Sequence, residues 1–314
     1  GLLSLIYGII CQLSICCLCW IPIWYKVSRP KFSISVLKPP LAYGYPQILA
    51  GYSGLLIQSG DRYLLKLFTD TRSVGLYSIG YKIASLVNVF LVTPIKPAIT
   101  PIILRAESNP TMQRDLISKL AEYYYIYGIF LCLGLSLVAP EIVQLFAPKK
   151  DFWGCQTIIP MIALSYFQHG LGNFVNWGNI MKNKSALIST NIAISAVANV
   201  VLNLLFIPYW GIIGAAFATL LSYLIWNGLK IYFSARVYDL YFNIKKMILL
   251  TILGIALYSI VVWTLEFNSL FVALCVKSLI ALTYPAWVWY LGFLDQKEKD
   301  WIKIPAELNK DLVS

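Results

Sequence analysis

Apolar residues in this chain run in long blocks broken by short polar clusters, and each block is long enough to cross a bilayer as a helix. Windows and breakers place spans near 2–24, 41–68, 74–100, 121–139, 156–178, 186–207, 211–233, 247–265 and 270–292. An α-helix needs about 20 residues to cross roughly 30 Å of hydrocarbon with its amides satisfied internally. The pattern predicts an all-α, polytopic transmembrane bundle of about nine spans. The segment 140–155, which opens PEIVQLF, reads as an amphipathic interfacial helix followed by a basic, aromatic turn.

Composition agrees with that reading. Hydrophobic residues make up 59% of the 314 positions and charged residues 12%, with a mean hydropathy of +0.71, far from the roughly one quarter charged that soluble domains carry. The chain opens at Gly1 directly into an apolar run, without an initiator Met, a basic leader or a cleavage signal, and so reads as a fragment lacking upstream helices. The formal charge of +11 comes from loops between spans. No basic stripe of the kind that binds nucleic acid is formed.

Those loop charges set an orientation. With the 25–40 loop cytoplasmic, Lys26, Arg29, Lys31, Lys38, Arg105, Arg114, Lys119, Lys182, Lys184, Lys230, Arg236, Lys245, Lys246, Lys297, Lys299, Lys303 and Lys310 share that side, against Arg72, Lys149 and Lys150. By the positive-inside rule the C-terminal tail is cytoplasmic. Four of the seven cysteines, Cys11, Cys16, Cys17 and Cys19, crowd the first span, where they read as packing or lipid-facing residues because no polar second shell suits a zinc ion.

Polar stripes run through several spans. Gln47, Gly51, Gly54, Gln58 and Arg62 fall on one helical face, beside Asp61 and one turn before Lys66. The next span carries Tyr77, Tyr81, Ser85 and Asn88, with Lys82 beside them; later spans carry His169, Asn173 and Asn176, then Asn191, Ser195, Asn199 and Asn203. The last ladder fits either helix-to-helix hydrogen bonding or a polar lumen. A charge at mid-bilayer costs roughly 2.5–3.5 kcal/mol on insertion scales, which disfavours unpaired, lipid-facing placement. Lys66 and Lys96 lie near span ends and can snorkel, and Lys277 stays open. Arg62 and Lys82 lie deeper, and either line a wet, substrate-facing interior or pair structurally with Asp61.

An interior with more Arg and Lys than acid suits an anionic ligand such as phosphate or pyrophosphate, which guanidinium holds as a bidentate fork. Neutral Asn, Gln, Ser, Tyr and Trp side chains suit a hydroxyl-rich sugar. Candidate headgroup residues are therefore Arg62 and Lys82, and candidate lumen residues are Gln58, Asp61, Lys66, Tyr81, Asn88, His169, Asn173, Asn191 and Asn199. No nucleophilic triad, metalloprotease motif or nucleotide-binding loop is present, so no cofactor or metal is expected. His169 reads as a bonded polar residue, with a proton relay as the sharper alternative.

Two stretches carry a family resemblance. NIAISAVANVVLNLLFIPYWGIIGAAFATLLSY (191–223) resembles the paired helices of oligosaccharide flippases in the multidrug/oligosaccharidyl-lipid/polysaccharide exporter superfamily, and DRYLLKLFTDTRSVGLYSIGYKIASL (61–86) resembles that family's aspartate-arginine span, external turn and lysine-bearing helix. Members, including the Wzx-type O-antigen flippases, have two six-helix lobes around a cavity, often with two further helices. The resemblance implies that 1–40 holds the last helix of the first lobe and a cytoplasmic linker, 41–233 the second lobe, 234–294 the extra pair and 295–314 a cytoplasmic tail.

It also implies a flippase rather than an enzyme, moving undecaprenyl-pyrophosphate-linked oligosaccharide across the inner membrane by alternating access. Implied partners are that lipid-linked substrate, membrane lipids, and polysaccharide polymerase and chain-length proteins. The alternatives are a multidrug cation antiporter of the same superfamily, which would carry unpaired acids in its lumen, and a membrane-embedded glycosyltransferase or polymerase.

Overall fold

The computed structural model describes residues 2–28, 34–147, 149–181, 185–235, 241–265 and 269–293. The described residues are helical throughout, without a strand. Contacts divide the chain into a unit of Gly1–Tyr45 and a unit of Pro46–Ser314. The first contains α1 (Leu2–Ser28), whose residues 6–26 are all exposed, and the start of α2 (Ile34–Phe68). The cysteine cluster lies on α1 as exposed free thiols.

In the second unit, local chemistry starts and bends the helices. Asp70 caps α3 (Thr71–Val87) by accepting from the Ser73 N–H at 2.8 Å, and hydrogen bonds from Ser73 hold its carboxyl below the usual carboxylate range. A π-turn over Asn88–Val92 joins α3 to α4 (Thr93–Arg105), where Pro97 and Pro101 each remove a helical donor. The expected 74–100 span is thus a segment of Thr71–Arg105 with one wide turn at its centre.

Helix α5 (Pro110–Phe146) starts on an Asn109 cap with proline in its first turn. It carries PEIVQLF as its own last turns, and this corrects the expected interfacial helix. Pro140 is accommodated inside α5, and Glu141, which would be wet in an interfacial segment, is buried and meets Lys277 at 2.5 Å. A 3₁₀ helix (Lys150–Ile158) then leads into α6 (Ile159–Val175) and the short α7 (Trp177–Met181).

The spans expected at 186–207 and 211–233 are the two helical halves of α8 (Ser185–Ala235), separated by a non-helical kink at Gly211, whose φ of +53° is a left-handed value that favours glycine. Helices α9 (Ile244–Thr264) and α10 (Leu270–Tyr290) follow. Among the described residues, six segments are long and apolar enough to cross a membrane by length and composition, including α1, α5, α9, α10 and Ala186–Ser234. Of the rest, α2 carries Asp61, Arg62 and Lys66, and α6 has 17 residues. The protein is a multi-pass helical membrane protein.

Helix α5 packs on α6, α9 and α10, while α6 packs on α3 and α8. The core between them is aromatic: Tyr124 stacks on Phe167 with centroids 5.5 Å apart and donates to its carbonyl at 2.8 Å. Because lipid is as apolar as leucine, close packing and interior hydrogen bonds hold such helices together more than hydrophobic burial does. Tyr125 with Thr251 (2.8 Å) and Asn199 with Ser222 (3.1 Å) are bonds of this kind.

Candidate functional site

Helices α2, α3, α6 and α8 bring the polar stripes together around two adjoining cavities of about 260 Å³ each. One, a charged chamber, is lined by Gln58, Ser59, Arg62, Ser78, Tyr81, Lys82, Ser85 and Tyr166. The other, an aromatic chamber, is lined by Tyr166, His169, Tyr223 and Trp226 together with Gly51, Gly54, Gln58 and Asn88. Gln58 and Tyr166 belong to both walls, so the two chambers meet there.

The stripe on α2 reaches the cavities because steps of three and four keep Gly51, Gly54, Gln58 and Arg62 on one face. Arg62 is half-buried. Its Nη1 donates to the Gln58 carbonyl at 2.9 Å, and its guanidinium lies 4.5 Å from the Tyr81 ring centroid and 5.9 Å from that of Tyr77. The ring faces hold the planar fork while most of its five N–H donors remain for another partner.

Asp61 is fully buried. It accepts from the Tyr77 hydroxyl and, at 2.8 Å, from the Arg62 backbone N–H, whereas its carboxylate stands 3.9 Å from Arg62 Nη1. Asp61 thus lies behind the chamber wall, held chiefly by Tyr77, and only loosely offsets the guanidinium. Lys82 is exposed and makes no ion pair among the described residues. The arrangement offers a planar cation and a point cation in one wall, without an acid among the lining residues, and this can hold a polyanion such as a diphosphate.

Other expected residues fall elsewhere. Lys66 is exposed and Asn173 half-buried, and neither lines the two chambers. Asn191 and Asn199 also lie outside both linings, buried on the first half of α8; Asn199 bonds across to Ser222 and accepts from Asn203 Nδ2 at 3.1 Å. At Asn199, therefore, the polar ladder joins the two halves of α8. His169 lies in the aromatic wall, its ring 5.4 Å from Tyr223 and 5.8 Å from Trp226, the latter nearly parallel.

Lys230, assigned to the cytoplasmic collar, is buried, with Nζ 3.5 Å from the Trp226 ring centroid. Tyr166, Tyr223 and Trp226 went unnamed as site residues because they sit among apolar neighbours. The available signal was spacing, since Tyr166 and His169 on α6, and Tyr223 and Trp226 on α8, each form an i, i+3 pair.

Residues 1–153 match the model of a family described as polysaccharide biosynthesis protein. The chain's helices superpose on the lipid II flippase MurJ in an inward closed conformation with a TM-score of 0.65 at 15% identity, over 88% of this chain and 60% of that one. The chain shares that protein's fold. An uncharacterized membrane protein of Methanocaldococcus jannaschii is 27% identical over 245 residues, covering 74% of this chain and 46% of that protein. The chain therefore spans about half the length of that relative.

Proposed function

We propose that this protein moves an oligosaccharide linked to undecaprenyl pyrophosphate, such as an O-antigen repeat unit, across the inner membrane by alternating access. The carrying observation is that Arg62 and Lys82 share one chamber wall that adjoins a neutral, aromatic chamber. In this reading the diphosphate is held by the two cations, the glycan lies among Gln58, Asn88, Tyr166 and Tyr223, and the prenyl tail stays in lipid. The comparisons support a lipid-linked cargo in general; the undecaprenyl carrier and the O-antigen glycan are our reading.

The same proposal takes residues 41–233 as one six-helix lobe, 234–294 as an added pair, and the C-terminus as cytoplasmic. A cation antiporter is disfavoured because Asp61, the acid nearest the cavities, is enclosed by Tyr77 rather than offered to the lumen. The test is an Arg62→Ala, Arg62→Lys and Arg62→Glu series measured for lipid-linked glycan transport in proteoliposomes. Loss with Ala and Glu and partial retention with Lys is expected. Normal transport by all three variants would remove the diphosphate role.

A further inference from the structure

Interior amides near the aromatic chamber are spent on protein partners. Asn227 gives its Nδ2 to the Gln168 carbonyl at 2.7 Å and side-chain oxygen at 3.0 Å, and Asn199 gives its own to Ser222 at 3.1 Å. His169 differs. It makes no hydrogen bond among the described residues, and neither ring nitrogen is sealed off as Trp226 Nε1 is, so both stay reachable from the chamber that the residue lines.

Ring contacts hold the imidazole instead. Its centroid lies 5.4 Å from that of Tyr223 and 5.8 Å from that of Trp226, the second pair 22° from parallel, while Tyr223 and Trp226 stand 5.9 Å apart. Three rings on α6 and α8 thus fix one another without using a nitrogen of His169. A neutral imidazole so placed presents one N–H donor and one acceptor nitrogen.

The rest of the lining fits the same kind of ligand. Asn88 also has a side-chain amide without a hydrogen bond among the described residues, and a Cβ at Gly51 would meet nothing within 4 Å, so α2 leaves its part of the chamber unfilled. Tyr166, Tyr223 and Trp226 add apolar ring surface. Free donors and acceptors beside flat rings match a pyranose, whose C–H faces pack on rings while its hydroxyls both donate and accept. A hydrocarbon tail would leave the imidazole and amide unpaired, and an anion finds no cation among these lining residues.

We infer that His169 is a specificity-determining residue that reads a sugar hydroxyl, holding one pyranose of the cargo in the aromatic chamber separately from the diphosphate. The inference rests on the lipid-linked glycan reading and adds to it the side chain through which the sugar contributes to binding.

The test measures dissociation constants of the protein in nanodiscs for two polyprenyl diphosphates, one bearing a single glucose and one bearing no sugar. Their ratio is the affinity that the sugar adds, and wild type should bind the glucosylated lipid more tightly. In His169→Phe, which keeps a ring but no nitrogen, the ratio should fall roughly two- to tenfold, the scale of one neutral hydrogen bond. His169→Gln, which keeps a donor and an acceptor, should retain most of it. Loss of folded protein lowers the number of binding sites and not the ratio, and His169→Leu is a second nitrogen-free variant. An unchanged ratio in whichever nitrogen-free variant folds, an equal fall in His169→Gln, or a wild type that binds both lipids alike overturns the inference. Binding of neither lipid by wild type overturns the lipid-linked reading as well, whereas binding of both that is weakened in Arg62→Ala but with a ratio indifferent to His169 overturns this inference alone.

Discussion

The two sides of α5 and α6 handle interior cations in opposite ways. Where α9 and α10 dock on α5, Lys246 and Lys277 each close on a glutamate at 2.5 Å, one on each half of α5. Around α2, α3, α6 and α8, Arg62 stands 3.9 Å from its nearest acid, and Lys82 has no ion-pair partner among the described residues. A closed pair fastens one helix to another, because breaking it strands a charge. An open cation keeps its donors for a ligand, and the two chambers lie beside the open ones.

The largest expected effect breaks the closed side. Lys277→Met leaves Glu141, already with one unbonded oxygen, as a buried unpaired carboxylate, and should cost about 3–5 kcal/mol of stability. Thermal unfolding in detergent checks this, and Glu141→Leu added to Lys277→Met should recover most of the loss. Equal stability of Lys277→Met and wild type would show the pair to be idle. On the open side, Arg62→Ala should lower transport by roughly ten- to a hundredfold, the worth of about 1.5–3 kcal/mol of charged hydrogen bonding, with little change in unfolding temperature. If unfolding temperature falls instead, Arg62 belongs with the fastening charges.

Lys246→Met sharpens the contrast more gently. Its partner's side chain is 22% exposed against 6% for Glu141, so water takes over part of the lost pairing, and a drop of about 1 kcal/mol is expected. The smallest effect lies within α8: a double-mutant cycle on Asn199→Ala and Ser222→Ala should return a coupling of about 0.6 kcal/mol, the average for an interhelical bond in a membrane. A coupling of zero would mean that their 3.1 Å contact contributes nothing.

Period and length made the helices legible, since nothing but a helix satisfies twenty apolar residues in lipid. The α2 stripe was legible for the same reason, because its face is set by helical geometry alone. Glu141 misled because its strand of sequence looks amphipathic when its partner, Lys277, is 136 residues away. Asn199 was ambiguous since lumen lining and interhelical bonding need the same side chain. The aromatic wall was hidden because a tyrosine lining a cavity and a tyrosine in a core have identical local sequence.

Sequence by itself determined that this is a helical membrane protein and which residues share a face of each helix, because both follow from hydropathy and the 3.6-residue repeat. Tertiary structure alone decided which charges are compensated. Lys230 looks like any loop-flanking lysine until α6 folds against it with a glycine at 172, and only then is it enclosed against an indole. Pairing is a property of two helices, and the field at a site depends on partners that no single helix contains.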